Sequence, residues 1–204
     1  DDNKDNAYVE FNLSDYDKKD SELIYYSSVE EAILNSPLNA ENEEFSVPED
    51  FLNHVDEILH IWNGKQYDTI FYRAGSDNDP VQGFVMARCK KQVEEASVQY
   101  AFMNATPVTT KADSILISDI TELIHSSLKL SDFQQDLNPN YPDTRFVFGY
   151  AHDKEIYSLE VEGQKPDGVI EINVYDRTMY LWYYDDLKSD KRGNNLSYSV
   201  DMPE

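Results

Sequence analysis

The stretch KEIYSLEVEGQKPDGVIEINVYDRTMYLWYYDDL, residues 154–187, predicts three successive antiparallel strands. Tyr157, Leu159 and Val161 alternate with Ser158, Glu160 and Glu162, the two-residue period of a strand with one dry and one wet face. A turn follows at QKPDG, where Pro166 presets φ and Gly168 is free to take a positive φ. Ile170, Ile172 and Val174 alternate again, a short reversal begins at Tyr175, and residues 179–184 return apolar or aromatic on both sides. A strand of that kind belongs at the centre of a sheet.

Two further segments share one grammar. LIYYSSVEEAILNSPL (23–38) and ILISDITELIHSSLKL (115–130) each read as a short apolar strand, an N-cap and a helix. Ser28 with Glu31, and Asp119 with Glu122, are cap and N3 pairs; Val29, Ala32, Ile33 and Ile120, Leu123, Ile124 supply the apolar stripes. SVPE at 46–49 predicts a second helix, with Phe51, Leu52, Val55, Ile58, Leu59 and Trp62 as its apolar face and its end near Gly64. SDFQ at 131–134 opens a shorter one that stops before Asn138.

YDTIFYR from Tyr67 then answers PDTRFVFGY from Pro142, sharing Asp, Thr and Phe in register. GFVMARCKK pairs with YSLEVEGQK, and QYAFMNATP with MYLWYYDDL. The expected fold is α+β, built as two tandem repeats over residues 21–110 and 111–204 with a joint in NATPVTTKAD from Asn104. Each repeat is a short strand and two helices followed by an antiparallel meander of three to four strands. An acidic, mobile segment over residues 1–20 precedes them, apart from a short strand at Tyr8, Phe11 and Leu13, and LSYSV near the C-terminus closes a sheet edge.

Forty acidic against 17 basic residues give a net charge of −23. Such a field repels phosphate, so nucleic acid is excluded as a partner, and no window is apolar enough to form a transmembrane segment. One cysteine, Cys89, sits in an apolar strand and reads as a buried thiol. No phosphate-binding loop, dinucleotide turn, nucleophile elbow or paired-cysteine motif is present, and no cofactor or metal is expected. His54 and His60 lie six apart, a poor spacing for one metal face.

Two sets of residues carry candidate chemistry. Glu160 and Glu162 place two carboxylates on one strand face, the apparatus of a glycan hydrolase, although an acidic chain puts glutamates on its wet face in any case. Tyr180, Trp182 and Tyr184 share one face and form a stacking platform for a protein or glycan ligand, in a chain with 15 Tyr and 9 Phe.

The residues EGQKPDG and MYLWYYDDL resemble uncharacterised extracellular or lipid-anchored domains of Gram-positive bacteria. The resemblance implies a secreted or cell-surface location, with a signal or lipid anchor removed ahead of DDNKDN; a cytoplasmic location is the alternative. The tandem halves are also similar in outline to the β-lactamase inhibitory protein, whose sheets form a concave protein-binding saddle, although the single cysteine departs from its disulfide-bearing halves. The expectation is a noncatalytic binding module. Its rivals are a carboxylate-based glycan hydrolase and an acidic inhibitor or immunity-type protein that neutralises a basic partner.

Overall fold

Ser28 caps a helix as its spacing to Glu31 requires: its hydroxyl accepts the Glu31 N–H at 3.1 Å, and the Glu31 carboxylate reaches back to Ser27. A two-residue strand, β1 (Tyr25–Tyr26), leads into this helix, α1 (Val29–Asn35), which buries Val29, Ala32 and Ile33. The computed structural model describes residues 20–36, 53–75, 83–109, 119–174, 177–202 and 204. The expected strand at 8–13, the capping signal at 46–49, the apolar run at 115–118 and the reversal at Tyr175 lie outside them.

Four long strands follow α1: β2 (Val55–Asn63), β3 (Tyr67–Ala74), β4 (Gly83–Glu94) and β5 (Ser97–Thr109). With β1 they form an antiparallel five-stranded sheet in the order β1-β5-β4-β3-β2. Side chains alternate across it. Ile70, Tyr72, Val85, Ala87 and Cys89 face a core shared with α1, while Phe71, Phe84 and Met86 face the opposite way.

In the second half Asp119 caps α2 (Ile120–Lys129), accepting the Thr121 N–H at 2.8 Å, and a 3-10 helix, Ser131–Leu137, follows directly. Next come β6 (Val147–Ala151), a 3-10 helix at Lys154–Ser158, β7 (Glu160–Val161), β8 (Gly168–Val174), β9 (Arg177–Tyr184) and β10 (Tyr198–Ser199). β6, β9 and β8 make a three-stranded sheet with β9 central, and β7 pairs with β10 in a separate ribbon.

The two larger sheets pack face to face. Trp62, Phe71, Phe84 and Met86 meet Phe146, Phe148, Ile172, Met179 and Leu181 between them, with Leu137 of the 3-10 helix at the seam. The outer face of the smaller sheet packs on Ile120, Ile124 and Leu128 of α2. The result is four layers: α1, five strands, three strands and α2.

This architecture corrects the α+β expectation of two helices and a meander per repeat. Strand makes up 45% of the described residues and helix 24%, so the fold is β-rich. The helix expected from Phe51 to Trp62 is strand β2 from Val55 onward. Its pairing with β3 shifts register between Val55 and Glu57 and again between Ile58 and His60. Each bulge inserts a residue, so Val55, Ile58 and Ile61 share one face at a spacing of three while Leu59 and Trp62 take the other. Bulges thereby imitate helical spacing.

Of the first strand expected from Tyr157, Tyr157 and Ser158 belong to the 3-10 helix, and only Glu160–Val161 pairs as strand. The sharp reversal falls earlier than QKPDG, at Glu162 (φ 50) and Gly163 (φ 72); Gly168 instead begins β8 beneath the Tyr183 ring. β6 pairs with β9 rather than with β8, so the second half has no meander. Asn104, expected at a joint between repeats, lies inside β5.

Trp62 closes the inter-sheet core, in edge contact with Phe146 at 5.5 Å and Tyr183 at 5.0 Å. Trp62→Ala should cost about 3–5 kcal/mol in urea unfolding. Val93→Ala, at the exposed end of β4, should stay within about 0.5 kcal/mol of the parent.

Candidate functional site

Alternation along β9 places Tyr180, Trp182 and Tyr184 on one face, as expected, but that face is the one α2 covers. Trp182 and Tyr184 are buried and stand 6.1 Å apart in edge contact, among Ile124, Leu128, Val147 and Leu187. Burial pushes the Tyr184 phenol well above its ordinary value. Its hydroxyl donates to Gln164 O at 2.8 Å and accepts the Val161 N–H at 3.2 Å, tying the β7 turn to β9. Two members of the expected platform are therefore core residues, and Tyr180 alone remains half-exposed.

Tyr180 lines a surface groove of about 500 Å³. The 3-10 helix Lys154–Ser158 brings Tyr157 against it, ring centroids 5.7 Å apart in an edge contact. Tyr157 is 53% exposed, and its hydroxyl donates to Glu171 Oε1 at 2.7 Å. That hydrogen bond raises the Tyr157 pKa, so the phenol keeps its proton. Glu171 faces Tyr180 directly across the β8–β9 pair. Glu155 and Asp201 complete an acidic margin in which Lys154 is the one cation among the described lining residues. Ser158 fixes the floor, donating to Glu155 O at 2.6 Å and accepting the Asp201 N–H at 2.8 Å.

No family model, curated protein or solved structure matches this chain. The groove's chemistry must therefore come from its own residues. Two tyrosine rings edged by three carboxylates suit a cationic group, which gains from the ring faces and the acidic margin together. The sequence reading missed Tyr157, Glu155, Glu171 and Asp201. Glu171 was within reach, because a carboxylate on the wet face of β8 must pair with something on β9.

The two candidate glutamates part company. Glu160 lies in β7 opposite Ser199, whereas Glu162 sits past the strand's end in the left-handed turn. The Glu162 carboxylate accepts from Ser197 and from Ser189 (2.9 Å) and pairs with Lys191 at 3.2 Å, leaving its side chain 11% exposed. Those hydrogen bonds, led by Ser197, pull its pKa down to about 2. A general acid needs a raised pKa; Glu162 is instead an ionised tie between the β7 turn and the segment before β10.

His60 packs on Trp62 at 4.6 Å and near Tyr183 at 5.5 Å, where burial lowers its pKa. Desolvation and the nearby Asp167 raise Asp185, while His60 pulls it down. Burial pushes the Cys89 thiol up to about 12, which disfavours the thiolate that a nucleophile needs. Among the described residues no group of three or more His, Cys, Asp or Glu side chains is placed to hold a metal ion, and no helix is long and apolar enough to cross a membrane.

The Glu162 carboxylate has a readable pH signature. Its folded pKa lies below its ordinary 4.5, so its contribution to stability is complete above that value and vanishes as pH falls through about 2. The difference in melting temperature between the parent and Glu162→Gln should hold constant from pH 7 to 5, then narrow and close by about pH 2. A difference independent of pH would show that the charge is not what holds the turn.

Proposed function

We propose that this chain is a noncatalytic binding module, secreted or at the cell surface, that takes a protein ligand through the Tyr157–Tyr180 groove. The carrying observation is the set of Glu155, Glu171 and Asp201 around two accessible tyrosine rings, with Lys154 the one cation among the described lining residues. An arginine or lysine side chain gains there from ring and carboxylate at once. The net charge of −23 draws a basic surface toward it from a distance. A basic protein is thus favoured over an uncharged glycan, and the inhibitor reading is the same chemistry with a tighter partner.

The hydrolase reading loses one of its two carboxylates, because Glu162 is engaged by Ser189, Lys191 and Ser197. The secreted or surface location rests on the resemblance of EGQKPDG and MYLWYYDDL and on no contact in the fold.

Octa-arginine is a suitable probe. At 150 mM salt it should bind the parent, and Tyr157→Ala, which leaves the net charge untouched, should weaken binding about fivefold. Glu171→Gln should weaken it further and reduce the salt dependence. Unchanged affinity in a folded Tyr157→Ala variant would assign the binding to diffuse charge and reject the groove. Tighter binding of chitohexaose than of octa-arginine would move the proposal to a glycan ligand.

A further inference from the structure

A second hollow, of about 330 Å³, opens where β4, β5, the 3-10 helix Ser131–Leu137 and β6 meet at the edge of the inter-sheet core. Its volume falls within the range of sites that hold small molecules. The floor is apolar and buried: Met86 from β4, Leu137 from the 3-10 helix and Phe148 from β6. At the mouth stand Leu130, 52% exposed, and Phe133, 53% exposed, two of the exposed large hydrophobic side chains among the described residues. Their adjacency at one opening, over a floor of the same character, makes a continuous apolar surface that solvent disfavours.

Four of the nine lining residues carry polar side-chain groups: Thr106, Gln134, Asp136 and Tyr150. Thr106 and Tyr150 line the hollow, and the hydroxyl of neither makes a hydrogen bond among the described residues. Burial raises the Tyr150 pKa, so its hydroxyl retains its hydrogen and can donate as well as accept. Gln134 donates from Nε2 to Phe148 O at 3.1 Å, which fixes the orientation of its amide. Its Oε1 is left buried without a partner. An apolar pocket with a few convergent unused polar groups is the ordinary form of a small-molecule site. Asp136 in the wall and the net charge of −23 weigh against an anionic occupant.

We propose that this cleft binds an uncharged aromatic molecule of two or three rings that carries one N–H or O–H group. Its rings lie between Phe133 and the Met86–Phe148 floor, and its polar hydrogen meets the Tyr150 or Thr106 hydroxyl. The site is separate from the tyrosine groove, since the two share no lining residue.

N-phenyl-1-naphthylamine, neutral and with a single N–H, is the probe. Its emission should shift to the blue and saturate at one molecule per chain. Phe133→Ala should weaken binding about fivefold, and Thr106→Trp, which fills the hollow, should abolish it while far-UV circular dichroism stays unchanged. Of the four methionine methyl resonances, that of Met86 should move on titration and that of exposed Met202 should not. Excess octa-arginine should leave the fluorescence unaltered, so failure here and failure of the groove are read separately. Absence of saturable binding would overturn the proposal, as would equal affinity in the parent and a folded Phe133→Ala variant, or a shift of the Met202 methyl in place of Met86.

Discussion

The carbonyl groups at the C-terminal end of the 3-10 helix Ser131–Leu137 need donors that the helix cannot supply, and the five-stranded sheet supplies them. Thr69 on β3 donates its hydroxyl to Leu137 O, Arg88 on β4 reaches Asp136 O at 3.2 Å, and Asn104 on β5 approaches the same oxygen at 3.4 Å. Leaving a buried carbonyl unpaired costs about 1–3 kcal/mol, so these donors fix where the second half sits on the first. Arg88 is itself almost wholly buried and lies 3.8 Å over the Tyr67 ring, a position that keeps a desolvated guanidinium in favourable contact. With that seam set, Trp62 can meet Phe146 and Tyr183, and the inter-sheet core follows.

The repeated Asp-Thr-x-Phe takes on a different sense in this light. Thr69 binds Leu137 O and Thr144 donates to Asn138 Oδ1 at 3.1 Å, so both threonines serve one turn. Phe71 and Phe146 enter the same inter-sheet core. The two motifs match because they converge on one place in the fold. Their surroundings differ: β3 is an interior strand of its sheet, whereas Phe146 precedes β6, an edge strand.

Local chemistry was legible wherever it decides structure by itself. The caps at Ser28 and Asp119, the central place of β9, the short helix ending before Asn138 and the burial of Cys89 all follow from residues within a few positions of one another. β2 was not legible, because its bulges are set by pairing with β3 and convert a strand's period into spacings of three. Residues 154–161 were misread for the opposite reason: Ile156, Leu159 and Val161 are buried, and a 3-10 helix running into a two-residue strand can satisfy them as well as a full strand would. For the candidate site, alternation put Tyr180, Trp182 and Tyr184 on one face correctly. Which layer covers that face is a tertiary fact, and α2 covers it.

Both hollows arise from mismatched layers. A five-stranded sheet is wider than a three-stranded one by roughly 10 Å at the usual strand spacing. The smaller sheet therefore cannot blanket the inner face of the larger, and the 3-10 helix fills only part of the gap beside β4 and β5, leaving the apolar cleft at Met86 and Thr106. On the outer side, α2 is ten residues long, about 15 Å, and lies chiefly over β6. Tyr180 on β9 is left only partly buried, so Tyr157 and Glu171 meet it at the surface and the groove results. A longer α2 would have covered the groove, and a wider second sheet would have covered the cleft. Each candidate site is thus the remainder left when unequal layers are stacked, and its chemistry is that of the layer left uncovered: apolar between the sheets, aromatic and acidic outside.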